Sequence, residues 1–369
     1  MTGPSARAPM PTPPAGPGRA DAILRVRGLH TQFVMREGVV RAVDGIDFQL
    51  ARGATLGLVG ESGCGKSVTA LSIMRLIRPP GRIVAGEIAW GAGNGARNLV
   101  DLPIRDLRRI RGHEIAMIFQ EPMTALNPVL TVGEQITEVV REHWGLNRPE
   151  RRARALEVLR TAGIPQPAQR LKAYPHELSG GMRQRVMIAM ALACEPKLLL
   201  ADEPTTALDV TIQAQILELI RELRRRTGMA LLLITHDLGV IAEMADDVAV
   251  MYAGQIVEFA AVRLLFAAPK HPYTRGLLES IPTVTTDRRT RLNTIRGTVP
   301  HMLRLPQGCL FEPRCPFAMQ VCREVRPETQ RLSDGRLIRC HLYPEPPAGR
   351  AGEPVAPVYA GIDGSAATR

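Results

Sequence analysis

Gly60-Glu61-Ser62-Gly63-Cys64-Gly65-Lys66-Ser67 follows the apolar run Thr55-Leu56-Gly57-Leu58-Val59 and reads G-x-x-x-x-G-K-S. A strand that empties into such a turn lets backbone N–H groups converge on phosphate oxygens, because no side chain holds the phosphates away. Lys66 is placed to reach the outer phosphates and Ser67 to offer its hydroxyl to Mg²⁺. Beyond the loop, Ala70, Leu71, Ile73, Met74 and Ile77 recur at helical spacing. A helix starting near Gly65 would turn its positive end toward a nucleotide. A chance glycine-rich turn would lack this pairing of a strand before and a helix after.

Two later segments add chemistry to the loop. Leu198 to Ala201 is a buried-strand pattern that ends in Asp202-Glu203. Paired acids at a sheet edge suit a metal nucleotide, with Asp202 holding Mg²⁺ and Glu203 orienting and deprotonating the attacking water. Acids satisfying the orphan amides of a helix start are the plainer reading, and the phosphate loop makes it minor. Leu178-Ser179-Gly180-Gly181-Met182 opens a helix through Val186 to Ala193, with Ser179 as N-cap and glycines that leave its amides open to an anion.

Patterning around these motifs predicts an α/β chain. Ile23 to Val26 and Ile46 to Leu50 alternate as strands, with Gly45 and Gly53 as turn punctuation. Gly86 to Trp90 and Ile115 to Phe119 read as further strands, and residues 130–192 as mostly helical. Arg151 to Ala162 puts Ala155, Leu156, Val158 and Leu159 on one face before Gly163-Ile164-Pro165 stops it. The strands Leu198 to Ala201 and Ala230 to Ile234 flank the helix Thr211 to Arg226, which is βαβ patterning. From residue 266 the periodicity weakens and prolines and cysteines gather, marking a second, smaller unit.

At 369 residues and 45% hydrophobic content the chain can bury a large core. Its longest apolar stretches, such as Val186 to Cys194, fall short of the ~20 residues a membrane-spanning helix needs. Residues 1–20 show no charged start followed by an apolar segment and cleavage site, so a cytoplasmic location is expected. The tails 1–21 and 344–369 are biased to Pro, Gly and Ala and are expected to be disordered. A net charge of +11 alone does not choose a partner, but its arginine runs lie beside amphipathic segments and read as solvated helix faces. With aromatics at 4% and no stacking pattern, nucleic acid is discounted.

In their order these segments resemble the ATP-binding subunits of ABC transporters over nearly everything from about 22 to 343. The resemblance makes Gly60 to Ser67 the Walker A motif, Leu178 to Met182 the signature motif, and Leu198 to Glu203 Walker B with its catalytic glutamate. Gln120 fits the Q-loop, Ala207-Leu208-Asp209 the D-loop, and His236 the switch histidine. Met182 departs from the family's commoner Gln but leaves the Ser and Gly contacts in place. The implied fold is a P-loop NTPase nucleotide-binding domain over 22–265, with a RecA-like core, an antiparallel β subdomain and a helical subdomain at about 121–190. His271-Pro272-Tyr273-Thr274, Gly297-Thr298-Val299-Pro300 and Glu121-Pro122-Met123-Thr124-Ala125-Leu126-Asn127-Pro128 look like the oligopeptide and dipeptide importer subfamily, with 266–343 as its C-terminal extension.

The resemblance also implies the site and its partners. ATP would contact Gly60, Ser62, Gly63, Cys64, Gly65, Lys66, Ser67 and Val68, with Phe33 as the candidate for stacking on adenine, although a packed strand-end Phe fits that residue equally. Mg²⁺ would take Ser67, Gln120 and Asp202, while Glu203, His236 and Gln120 serve catalysis. Ser179, Gly180 and Gly181, with Asp209, would complete the nucleotide shell of a second ATPase subunit. Two transmembrane permease subunits and an extracytoplasmic substrate-binding protein are the other implied partners, with this chain peripheral on the cytoplasmic face of the membrane. An importer for nickel or another small solute, a soluble ABC ATPase, and a redox-sensing regulatory subunit are the rival readings. A soluble member would carry two cassettes, a coiled coil or a zinc insertion, and intact Glu203 and His236 argue against a dead cassette.

Four of the six cysteines, Cys309, Cys315, Cys322 and Cys340, follow C-x5-C-x6-C-x17-C in the small unit. In a reducing compartment disulfides are disfavoured, so a thiolate metal site is the functional reading and unligated buried thiols the plain one. Zinc and an iron–sulfur cluster both accept four thiolates, and the lack of a C-x2-C pair weakens zinc. Resemblance to dipeptide importer ATPases implies a [4Fe-4S] cluster.

Overall fold

The computed structural model describes residues 21–121, 125–206, 208–280 and 294–343. Both expected tails, Pro122 to Thr124 of the subfamily stretch and Ala207 of the D-loop stretch lie outside the described residues. Two sheets are stacked through a shared core. The first is antiparallel and formed by β1 (Ala22–Met35), β2 (Gly38–Ala51), β4 (Gly81–Trp90) and β5 (Arg97–Asn98) in the order β2-β1-β4-β5. The second adds β3 (Thr55–Val59), β6 (Ile115–Ile118), β7 (Leu198–Asp202), β8 (Ala230–Ile234), β9 (Asp247–Tyr252), β10 (Gln255–Ala261), β11 (Gln330–Arg331) and β12 (Leu337–Ile338). Its order is β11-β12-β10-β9-β3-β8-β7-β6, parallel from β9 to β6 and antiparallel at the β10 edge.

The parallel strands are short apolar runs buried on both faces, as crossover-connected sheets require. Their side chains divide by alternation. Leu56, Leu58, Leu198, Leu200, Leu232 and Ile234 face the layer under the antiparallel sheet, while Val59, Leu199, Ala201, Leu231 and Leu233 face the helices.

The helices are α1 (Lys66–Ile73), α2 (Ile104–Ile110), α3 (Val132–Trp144), α4 (Arg148–Thr161), α5 (Pro167–Arg170), α6 (Gly180–Leu192), α7 (Val210–Thr227), α8 (Leu238–Met244), α9 (Val262–Ala267), α10 (Pro272–Glu279) and α11 (Gln320–Glu324). Capping boxes start two of them, Thr131 with Glu134 for α3 and Asn147 with Glu150 for α4. Val132, Ile136, Val140, Ala155, Val158, Leu159, Val186 and Ala189 form a separate helical core from α3, α4 and α6.

Three local readings are corrected. The paired strands β1 and β2 are far longer than the runs 23–26 and 46–50, meeting at Met35 and Gly38. Gly45 is no turn: it lies inside β2 at φ 72°, skipped by the register between Leu29↔Ile46 and His30↔Asp44, so it forms a bulge. Ile77 is outside α1, because Arg75 turns left-handed at φ 49° and Leu76 N–H closes on Leu71 O at 2.8 Å.

Candidate functional site

The phosphate loop is shaped by where a side chain cannot go. A Cβ on Gly60 would sit 2.1 Å from Met251 O, and one on Gly65 2.1 Å from Ala42 O, with both residues at positive φ. The loop is thus wedged between the end of β9 and the body of β2. Ser62 and Gly63 are exposed at its tip, Cys64 is buried beneath it, and Val68 is half-buried against the core. Gly65 stands at the N-cap of α1 with no side-chain cap, so the first amides of that helix face an incoming anion. The Lys66 ammonium is buried and donates to Gly60 O at 2.8 Å and Glu61 O at 3.1 Å. To meet phosphates it must leave those carbonyls.

Ser67 Oγ donates to Asp202 Oδ1 at 3.0 Å, which joins the start of α1 to the end of β7. Burial raises the Asp202 carboxyl to about 6, the Glu203 charge adds to the rise, and the Ser67 hydrogen bond and Lys66 oppose it. A divalent cation would relieve this strain on the carboxylate, so the donor pair fits Mg²⁺.

Glu203 is the convergence point. Its side chain is 14% exposed and its backbone is held at φ 46°, with its N–H on Ile234 O at 2.9 Å. A left-handed non-glycine conformation costs energy that the surroundings must supply, and such residues gather at working sites. Gln120 Nε2 donates to Glu203 Oε2 at 3.2 Å, and His236 Nδ1, on a ring 66% exposed, stands 3.4 Å from Oε1. The residues just after β6, β7 and β8 therefore meet on one carboxylate. This is the carboxyl end of a parallel sheet, where α/β folds bind ligands.

Other expected residues lie apart from this centre. Ser179 caps α6 through Met182 N–H at 3.4 Å; Gly180 is exposed with open space where a Cβ would be, and Gly181 packs 3.1 Å from Ile212 by the same measure. Asp209 caps α7 by accepting from Ile212 N–H at 2.9 Å. Phe33 is half-buried on β1, its ring lying 2.5 Å from where a Gly81 Cβ would stand. That is a packing position within the antiparallel sheet.

Two functional neighbours escaped the sequence reading. Thr206 Oγ1 donates to Glu203 Oε2 at 2.8 Å, and buried Gln184 donates through Nε2 to Pro204 O, steadying the turn behind the carboxylate. Gln184 was visible as an amide in the apolar face of a helix, a polar residue that must find a partner if buried.

All six cysteines are free. Cys322 and Cys340 are buried and Cys309 and Cys315 partly so, with Cys309 N–H on Cys322 O at 2.7 Å. Burial first, and then the neighbouring thiols, push Cys315 up to about 11 and Cys340 up to about 12. The donor chemistry suits a thiolate-bound metal, since a cation would reverse that penalty. Yet among the described residues no group of three or more His, Cys, Asp or Glu side chains forms a metal-holding set. The four thiols share a neighbourhood without closing a ligand cage.

Residues 43–206 match the family described as ABC transporter, and residues 257–322 the oligopeptide/dipeptide transporter C-terminal region. The probable peptide ABC transporter ATP-binding protein y4tR of Sinorhizobium fredii is 54% identical over 87% of this chain and 95% of its own length. The oligopeptide transport ATP-binding protein AppD of Bacillus subtilis is 53% identical over 88% of this chain and 97% of its own. The dipeptide transport ATP-binding protein DppD of Escherichia coli is 51% identical over 89% and 99%. Among solved structures, the dimer of MJ0796, a bacterial ABC transporter cassette, superposes with a TM-score of 0.58 at 28% identity, covering 65% of this chain and 99% of that one.

Proposed function

This chain belongs to the ATP-binding subunits of peptide-importing ABC transporters, and from that premise we propose how its site couples ATP hydrolysis to peptide uptake. The protein is an ATPase with the nucleotide-binding fold of ABC transporters. The observation that carries the reading is the meeting of Gln120, Glu203 and His236 beside the Ser67–Asp202 pair.

ATP would lie over the loop Gly60, Ser62, Gly63, Cys64, Gly65, Lys66, Ser67 and Val68, with its terminal phosphates on the open amides of α1. Lys66 would exchange the Gly60 and Glu61 carbonyls for phosphate oxygens. Ser67, Asp202 and Gln120 would hold Mg²⁺, which would supply positive charge to offset that on the phosphates. Glu203, aimed by Thr206 and Gln120, would take a proton from water as its oxygen bonds to the γ-phosphorus and the bond to the β-phosphate bridging oxygen breaks. His236 would contact the departing phosphate. Phe33 is the candidate adenine platform.

Ser179 and Gly180 are exposed, which supports their completing the nucleotide site of a second ATPase subunit, with Gly181 and Asp209 at the same junction. Closure on ATP and reopening after hydrolysis would then move two permease subunits, supplied with peptide by an extracytoplasmic binding protein. None of the helices among the described residues is long and apolar enough to cross a membrane, which suits a peripheral subunit at the cytoplasmic face. We assign 22–265 to the nucleotide-binding domain, about 121–190 to its helical part and 266–343 to the extension. Cys309, Cys315, Cys322 and Cys340 would hold a [4Fe-4S] cluster that staples the small unit. Anaerobically purified protein should be brown and lose its visible absorption when all four are Ser; colourless protein with stoichiometric zinc would overturn the iron assignment.

The coupling is tested with the whole importer in lipid vesicles. Di- and oligopeptide uptake should require ATP and vanish with Lys66→Ala. Uptake of nickel or another small solute, with none of peptides, would transfer the chain to a different importer.

A further inference from the structure

The C-terminal extension reaches into the phosphate loop itself. Arg314, at the end of the short turn Glu312–Arg314, makes a two-pronged ion pair with Glu61: Nη1 to Oε2 at 2.6 Å and Nη2 to Oε1 at 3.0 Å. Its side chain is only 3% exposed. The guanidinium is fixed from behind by Nε on Arg296 O at 3.0 Å and stands 5.9 Å from the centre of the Tyr252 ring and 6.0 Å from that of Phe311. Tyr273, buried on α10, uses its hydroxyl to accept the Glu61 backbone N–H at 2.8 Å. Its ring packs 4.6 Å from Tyr252 and 5.5 Å from Phe311.

Glu61 is therefore held by the extension through both its carboxylate and its amide. The same residue's carbonyl accepts Lys66 Nζ at 3.1 Å and Cys64 N–H at 3.3 Å. The contacts run without a break from Arg314 through Glu61 to the lysine that must turn toward the phosphates. We propose that Arg314 and Tyr273 are positioning residues of the ATP site, which hold the phosphate loop in its binding shape from outside the nucleotide-binding domain. The inference rests on the ATP-site reading above. Its physical content is pre-organisation: when Lys66 leaves the Gly60 and Glu61 carbonyls, the loop keeps its path because Glu61 is anchored elsewhere. A planar guanidinium suits the task, since its fork fixes orientation as well as distance.

The clamp predicts a loss in nucleotide affinity with the chemical step spared. Glu61→Gln is nearly isosteric at a half-buried position, and Tyr273→Phe removes one oxygen, so both should fold; Arg314→Gln is the more disruptive partner. MgATP dissociation constants would be measured by calorimetry on the full chain, and kcat and KM on the intact transporter. Glu61→Gln and Arg314→Gln should each weaken MgATP binding about five- to fifty-fold, the span expected for losing a charge-assisted pair. KM should rise with it while kcat changes less than about twofold. The double variant should resemble either single one, and Arg314→Lys should fall between. Folded Glu61→Gln with wild-type affinity and KM, or additive losses in the double variant, would overturn the proposal. Wild-type protein that does not bind MgATP would instead strike the ATP-site reading.

Discussion

At the scale of single residues, the state of the site follows from which carboxylates are buried and what faces them. Asp202 is raised to about 6, chiefly by burial, so it is protonated below that pH and a carboxylate above it. Mg²⁺ held by Asp202, as proposed, would compete with that proton, hence apparent Mg²⁺ affinity should weaken by up to roughly tenfold as pH falls from 7 to 5. Metal titrations at the two pH values check this; equal affinities would contradict it. An acid whose folded value lies above its unfolded value costs stability as pH rises through that window. Asp202→Asn should therefore raise the melting temperature of the metal-free protein at pH 7 while ending hydrolysis, a trade-off visible in one thermal scan and one phosphate assay. Residue types at the site were legible because a phosphate loop, an acid pair at a strand end and a histidine after another strand each have a chemical reason for their spacing. Arg314 was not, because its partner is brought by the fold from 253 positions away and no local pattern announces it, while Thr206 and Gln184 stood out only as polar side chains whose partners the sequence does not name.

At the scale of elements, the joint between β10 and the extension buries an ion pair. Arg336 and Glu258 are 1% and 0% exposed, paired at 2.8 Å, and Glu258 also accepts the Lys270 and His271 amides. Arg336→Met leaves that carboxylate uncompensated and should cost about 3–5 kcal/mol in denaturant unfolding, with Glu258→Met/Arg336→Met costing less than the single change. His271, fully buried here, is pulled down to about 3 by burial, so the unfolded chain takes a proton first as pH drops. Stability should fall as pH falls below about 6.5, and His271→Asn should flatten that fall, as unfolding midpoints at pH 7 and 5 would show. The parallel strands were readable from composition because burial on both faces demands uninterrupted apolar runs. The long β1–β2 hairpin was not, since its outer end, Val34 to Val39, pairs in register while remaining largely exposed, without the apolar run that marks a buried strand. Gly45 misled for a related reason: a bulge and a turn both want positive φ.

At the scale of the whole molecule, β12 pairs with β10, so the extension closes the edge of the main sheet besides clamping its phosphate loop. Ending the chain after residue 325 removes β11, β12 and Arg336 together and bares an edge strand above a buried acid. Such a truncation should shift soluble protein to aggregates in size-exclusion profiles, whereas ending it at 343 should not. The most direct measurement is phosphate release and bound nucleotide in the intact transporter carrying Glu203→Gln. ATP should remain bound while steady-state release falls by about 10²- to 10⁴-fold, the usual worth of a general base. Undiminished release with ATP bound would place the base elsewhere and contradict the convergence on position 203.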